Sequence, residues 1–427
     1  MDLDLRLIKR HTQLVRSHMI QSDLLSSGTK SSLKSNAAFS ETQAAWRFYN
    51  NKNCDRKELM KPILAHGVAQ SALCENYVLV PHDWSGLSYK KHTSKDDRYG
   101  IHNETELGYE LQSSLMLSDV HGGPIAPVAF NVLNKADVLS TYTSEGERSA
   151  THLEELAKRI EYLEGCDFKK PLVHIIDREG DSVQLMRTLA DKSWLVRCRS
   201  NSNVVHENAS IRVDKLAQQM EYTHARIIDY KGRKAEQFIA ELEVSVTRAA
   251  HAKKAVNGKR QKIPGDAVPC RLVVSKVLDD KGRVLAYWYL LTNVKPTVEK
   301  TTIALWYYWR WGIESFFKLL KSAGMQLESW QQETAEAITC RLLVACMACV
   351  LVWQIAEATG PEAQELRVIL IRLSGKQMKY KVAFTKPALF TGLCSLLNAL
   401  DLLEKYDPVE LKQMLQAALG ALGEAFV

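Results

Sequence analysis

Between residues 172 and 198 the chain reads LVHIIDREGDSVQLMRTLADKSWLVRC. Leu172 to Ile176 is strongly apolar and stops on Asp177, which marks a buried strand with an acid at its exit. A helical pattern runs from Asp181 to about Leu189, and Trp194 to Cys198 is again strand-like. The chain must therefore bury a sheet under helical cover, which places it among mixed α/β proteins. DREGD puts Asp177, Glu179 and Asp181 side by side at the strand exit, with Asp181 placed to cap the following helix.

Upstream, Tyr77 to Val80 reads as a strand directly before Pro81-His82-Asp83. Tyr109 to Leu117 and Ile125 to Leu133 flank the turn Asp119-Val120-His121-Gly122-Gly123 and read as a hairpin. A charged helical pattern from about Glu147 to Leu163 follows. Three strands, a helix and a fourth strand, with acids ending two of the strands, is the order of an RNase H-like mixed sheet with helices. This core is expected over residues 76–199 and 297–330.

Residues 200–296 alternate short strand-like runs with Gly-Lys-Arg and Asp-Asp-Lys-Gly turns, and are expected as a β-rich insertion domain. Within it, Arg248 to Lys262 reads as a loop in which Lys253, Lys254, Lys259 and Arg260 stand without an acid. A run of this kind is usually a solvated loop, and in a DNA enzyme it also suits phosphate. Residues 1–75 read as a small basic helical domain, with Ser40 to Gln43 and Asp55 to Glu58 at capping-box spacing and the Ser-rich LLSSGTKSSLKSNAAF as a loop. Residues 331–427 read as an apolar helical region, with a possible dimer surface.

The 56 Lys and Arg outnumber the 49 Asp and Glu, for a net charge of +7, a bias that suits a polyanion without demanding one. Nine scattered cysteines suggest reduced thiols. Cys346 and Cys349 form a C-x-x-C inside the apolar run Leu342 to Trp353, where core packing outweighs a zinc or redox site. That run is too short to span a membrane and reads as a buried helix. The N-terminus MDLDLRLIKRHTQL has no signal-peptide pattern, so a cytoplasmic location is expected, with no membrane partner.

The segment from Val298 to about Lys321 reads as one helix, in which Tyr307, Arg310, Glu314 and Lys321 fall within about 60° of one another at about 100° per residue. Taken alone, Arg310 and Glu314 make an ordinary i, i+4 ion pair. Together with Asp83 and Asp177 they point further, because clustered carboxylates repel unless cations neutralise them. Mg²⁺ accepts carboxylates and phosphate oxygens, which makes a two-metal phosphoryl-transfer site the natural reading.

Tyr307-x2-Arg310-x3-Glu314-x6-Lys321 and Asp177-Arg178-Glu179-x-Asp181 together resemble the signature of the IS4-type DDE transposases, the group that includes the Tn5 transposase. SETQAAWRFYNN is similar to that family's N-terminal DNA-binding region, and WYLLTN to the strand that supplies a tryptophan, here Trp288. Two places depart from the usual pattern: Trp84-Ser85 after Asp83, and Gln112 before the paired serines. The resemblance implies cut-and-paste transposition of an insertion sequence, with Asp83, Asp177 and Glu314 holding two Mg²⁺ ions, for which Mn²⁺ would substitute. It implies double-stranded DNA as partner, both the terminal inverted repeats and the target, and a homodimer in a synaptic complex on the bacterial nucleoid. Cleavage would pass through a hairpin DNA end, with Trp288 stacking on an extruded base. Tyr307, Arg310 and Lys321 would grip phosphate, with Arg197 a further DNA contact. A nuclease that cuts without joining, and a silent transposase-derived repressor, are the alternatives.

Overall fold

Strand–helix alternation produces the expected elements, and a computed structural model shows how they connect; it describes residues 4–20, 35–101, 103–144, 146, 149, 151–256 and 259–420. Helices α1 (Leu5–Ile20), α2 (Ser35–Tyr49) and α3 (Arg56–Gln70) precede strands β1 (Val78–Ser88), β2 (Tyr99–Gly100), β3 (Leu107–Ser118), β4 (Pro124–Leu133) and β5 (Val138–Ser140). Then come α4 (His152–Glu164), β6 (Leu172–Ile176), α5 (Val183–Thr188), β7 (Trp194–Arg197), β8 (Asn203–His206), β9 (Ala209–Arg212) and α6 (Val213–Gln219). Strands β10 (Thr223–Tyr230), β11 (Arg233–Val246), β12 (Ala250–Val256), β13 (Lys259–Ile263), β14 (Val268–Leu278) and β15 (Val284–Thr292) follow. The chain closes with α7 (Lys300–Trp309), α8 (Gly312–Lys318), α9 (Ala335–Glu357), α10 (Pro361–Leu373), α11 (Lys386–Leu403) and α12 (Pro408–Leu419). Two compact units result: Arg56–Phe317, and Met1–Asp55 with Lys318–Val427.

In the unit Arg56–Phe317 a mixed sheet runs in the order β5-β4-β3-β1-β6-β7-β15-β14-β11-β8-β9. β3 is antiparallel to both β1 and β4, whereas β1, β6 and β7 are mutually parallel neighbours. β6 is buried throughout, which is why its sequence is continuously apolar rather than alternating. The stretch expected as a β-rich insertion domain continues this sheet, because β15 lies antiparallel to β7 from Leu290↔Arg197 to Thr292↔Leu195. One apolar core follows it, from Leu156 and Ile160 of α4 through Met186 and Trp194 to Val244 and Leu272. Helix α3 packs on β4, where Gly67 permits the approach: a Cβ there would stand 3.0 Å from Val128 Cγ1.

Three local expectations change. β1 does not stop at Asp83 but runs on to Ser88, because the ladder tolerates the donor that Pro81 lacks: no pair with β3 forms between Leu79 and His82, and the register then resumes. The basic run Arg248 to Lys262 is not a loop but contains the two-stranded β12–β13 hairpin, whose Lys253, Lys254, Lys259 and Arg260 side chains lie outside the described residues. The helix expected through Lys321 is interrupted at Arg310-Trp311, ahead of Gly312, a poor helix former packed against Leu117, and it ends in a π turn over Leu319–Ala323.

The other unit is helical. α9 is long and apolar enough to cross a membrane by length and composition, yet most of it is buried within the unit, where α1, α2, α10 and α11 pack on it. Its Cys346 and Cys349 are buried free thiols, and burial pushes both pKa values up. Arg341, fully buried on α9, stacks 4.1 Å over the Trp330 ring and donates to Gln332 at 2.9 Å. Ser40 does not open α2, which starts at Ser35, and most of the expected Ser-rich loop lies outside the described residues.

Candidate active site

The parallel pairing of β1 with β6 ends at His82↔Ile176. One residue further on, Asp83 and Asp177 stand next to each other on adjacent strands, and Arg197 occupies the same row on β7, since Ile176 pairs with Val196. Side chains alternate across a strand, so these three share one face of the sheet. Leu290 opposes Arg197, and Trp288, two residues from Leu290, returns to that face. α7 packs there, with the Tyr307 ring 5.9 Å from the Trp288 ring. The site therefore forms where β6 and β7 end and their parallel pairing with β1 stops, beside the carboxyl ends of parallel strands, the usual place for a crevice in an open α/β sheet.

Arg310 organises the acids. Its Nη1 donates to Asp83 Oδ2 at 3.0 Å and its Nη2 donates to Glu314 Oε1 at 2.7 Å. The other Asp83 oxygen, Oδ1, accepts from the Trp84 amide at 2.9 Å. Arg310 is only 7% exposed, whereas Glu314 is 53% exposed at the rim. Burial pushes the Asp83 carboxyl above the usual range and Asp177 adds to the rise, while Arg310 and the Trp84 amide oppose it. Burial opposes the Arg310 charge too, but Tyr307, Asp83 and Glu314 outweigh that, so the guanidinium holds its proton more tightly than usual.

Glu179 joins the acidic group: partial burial and then the charge of Asp177 raise its pKa, with Asp83 and Glu110 contributing and His152 opposing. Asp177 Oδ1 accepts from the Glu179 amide at 2.8 Å and so caps the short turn that carries it. Asp181 is not a helix cap; Ser182 caps α5, and Asp181 instead accepts from the Arg199 amide and Ser202 Oγ and pairs with Arg248. The DREGD acids thus divide between the site and the loops leading to β8 and β12.

The remaining sequence candidates are spread more widely. Trp288 is 3% exposed, enclosed by the rings of Tyr230, Tyr307, Tyr308 and Trp311 at 5.9 to 6.4 Å. Lys321 belongs to the helical unit, where it pairs with Glu328 at 3.4 Å. Tyr307 and Arg310 stay together, Arg310 Cζ lying 5.7 Å from the Tyr307 ring centre. The Tyr307 hydroxyl and Arg310 Nε are buried without a hydrogen-bond partner among the described residues.

Sequence reasoning missed a second polar group, on the opposite face of the same strands. Glu164 Oε1 lies 2.9 Å from His174 Nε2, His174 Nδ1 lies 2.9 Å from His82 Nε2, and His82 Nδ1 lies 2.8 Å from Ser114 Oγ. An ionised Glu164 can only accept, which fixes both tautomers: Ser114 donates to His82, His82 to His174, and His174 to Glu164. Arg159 Nε donates to Ser114 at 2.8 Å and its Nη1 to Gln112 Oε1 at 3.3 Å, while Gln112 donates to Glu110, 3.2 Å from His152. Burial holds both histidines below their ordinary pKa, His82 well below. The available signal was His174, a polar residue inside an apolar run.

Asp83, Asp177 and Glu314 offer hard oxygen donors of the kind that hold Mg²⁺. In this arrangement a guanidinium bridges two of them, and no three acidic, histidine or thiol groups among the described residues enclose a metal position. The donor chemistry fits a divalent cation; the bridging oxygens are occupied by Arg310. A sequence-family model described as a transposase DDE domain matches residues 138–351, half of the chain, including Asp177 and Glu314 but not Asp83. No curated protein matches the chain.

Proposed function

Since the chain belongs to the family with the transposase DDE domain and is a transposase, an enzyme that acts on DNA, we propose that Asp83, Asp177 and Glu314 form its catalytic triad. The observation that supports this reading is that Asp83 and Asp177 neighbour each other on one sheet face, and that Asp83 shares Arg310 with Glu314. We read the strands β4-β3-β1-β6-β7 as an RNase H-like core and the chain as an IS4-type member related to the Tn5 transposase.

In this reading the three carboxylates hold two divalent ions, Mg²⁺ by preference. When bound, these supply Lewis-acid stabilisation to the oxygen that attacks and the oxygen that leaves a DNA phosphate. Tyr307 and Arg310 bind the phosphate beside the cut, using the hydroxyl and the Nε that have no partner among the described residues. Arg197, in the same row as the acids, contacts the strand running past them, and Lys321 adds charge. A 3′-hydroxyl freed by nicking would attack a phosphodiester of the opposite strand, forming the hairpin's new ester bond and expelling the 3′-oxygen of the flanking DNA, and Trp288 would stack on the base so displaced; since Trp288 is enclosed by Tyr230, Tyr307, Tyr308 and Trp311, some of these rings must part from it first. Residues 1–75 read as the end-binding region, supported by exposed Trp46. The exposed apolar residues of α10 and α12, among them Val368, Val409 and Met414, suit a homodimer.

The test incubates the protein with duplexes carrying the inverted repeats that flank its gene, with Mg²⁺, Mn²⁺ or chelator, and resolves products on denaturing gels. Metal-dependent nicks, hairpins and joined products are expected. Cutting without joining would make it a nuclease, and the absence of metal-dependent cutting would overturn the triad.

A further inference from the structure

Each carboxylate oxygen of Asp83 already accepts one hydrogen bond: Oδ1 from the Trp84 amide and Oδ2 from Arg310. The same guanidinium draws the rim acid Glu314 inward at 2.7 Å. A divalent cation placed between Asp83 and Glu314 would meet the guanidinium that already bridges them, and two cations at one such point repel strongly. We propose that Arg310 is a counter-cation gate: in the DNA-free protein its guanidinium stands in for the metal, and a DNA phosphate opens the acids to metal by drawing that guanidinium away.

Three observations carry the gate. Arg310 is buried yet tied to the acids by only two of its donors, and its Nε is buried without a partner among the described residues. Its fork geometry fits phosphate at least as well as carboxylate, so a backbone phosphate is a competent competitor. Glu314 is held to Arg310 from one helical turn away and lies more than half exposed, so it can rotate towards solvent once the guanidinium leaves. The consequence is linkage: metal and DNA each relieve the contact that opposes the other, and each raises the other's affinity by the same factor. Premature metal loading is thereby disfavoured until DNA is in place.

The inference rests on the three acids being metal ligands, and the experiment separates the two claims. Mn²⁺ binding to the full chain without DNA is measured by electron paramagnetic resonance for the wild type and for Arg310→Gln, Arg310→Lys and Asp177→Asn, each checked by circular dichroism. Arg310→Gln is expected to bind Mn²⁺ roughly fivefold or more tightly, and Arg310→Lys, which keeps the charge but cannot bridge both acids, about twofold more tightly. Should the Gln variant fail to fold, the Lys variant decides. The affinity for a short duplex, read by anisotropy, is expected to rise with Mn²⁺ more in the wild type than in Arg310→Gln. If Asp177→Asn loses Mn²⁺ while Mn²⁺ binding to the Arg310 variants is unchanged or weaker, the gate is wrong and the triad stands. If Asp177→Asn leaves Mn²⁺ binding intact, the metal-ligand reading fails and the gate with it.

Discussion

His82 and Asp83 are consecutive residues of β1, yet they serve opposite kinds of polar cluster. On the His82 face, Glu164, His174, His82 and Ser114 form a closed line in which every donor has one acceptor, and Arg159 ties it to Gln112. On the Asp83 face, acids outnumber cations, and one guanidinium is shared by two of them. A satisfied buried network rigidifies what surrounds it, while an excess of like charge is a standing demand for cations. The contrast teaches that the closed face fixes the strands so that the open face can hold its acids at close quarters.

The largest expected effect tests the open face. Asp177→Asn and Glu314→Gln should each lower DNA cleavage on the order of a thousandfold, measured on labelled terminal duplexes. The melting temperature of Asp177→Asn should hold or rise, because a repelling charge has been removed, whereas that of Glu314→Gln should fall slightly, because buried Arg310 loses an anionic partner. Asp83→Asn is the variant to make first, since the family match does not reach it; full activity would remove it from the triad.

Next in size is the closed face. Arg159→Met leaves Ser114 and Gln112 short of a donor in a fully buried place, with an expected cost of about 3 kcal/mol and a fall in melting temperature on the order of 5 °C. An unchanged melting curve would show that the network does not stiffen the sheet.

A smaller effect follows from pH. His82 and His174 are held neutral in the fold, below the ordinary histidine pKa. Below about pH 6.5 the unfolded chain takes up protons that the fold refuses, so stability is full above that value and declines as pH falls, by up to about 1.4 kcal/mol per pH unit for each histidine. Chemical denaturation at pH 7.5, 6.5 and 5.5 reads the slope, and His174→Gln should flatten it.

The smallest effect belongs to Arg197, which stands in the row of the acids but belongs to neither cluster. Arg197→Gln should weaken DNA binding evenly across sequences and reduce the salt dependence of binding by about one unit of slope, as read by anisotropy against salt. A loss confined to one DNA sequence would instead give Arg197 a base contact.

What could be read beforehand follows from how local the signal was. Asp177 leaves a continuously apolar strand within five residues, and Arg310 and Glu314 lie one helical turn apart, so both were visible in short windows. The interruption at Arg310-Trp311 was not, because the pattern around Gly312 stays helical while its packing against Leu117 is a tertiary matter. Asp83 was found, but its strand was ended too early, because Pro81 reads as a breaker and the flanking pairs that carry β1 past it come from β3. The closed network was invisible: His82 meets Ser114, His174 and, through Ser114, Arg159 only after the sheet has formed. The joining of β15 to β7 was likewise hidden, since strand pairing is nonlocal and the turns around residues 200–296 do not say which strand β15 meets.

That junction of β15 with β7 also governs timing. Glu314 and Arg310 follow β15 directly, and β15 finds its partner nearly a hundred positions back, so their placement waits on long-range pairing, a slow step in folding. A nascent chain that has emerged only as far as Asp177 carries two of the acids without their guanidinium and without the third carboxylate. On the triad proposed above, the cutting site is incomplete in an unfinished polypeptide until β15 has paired with β7.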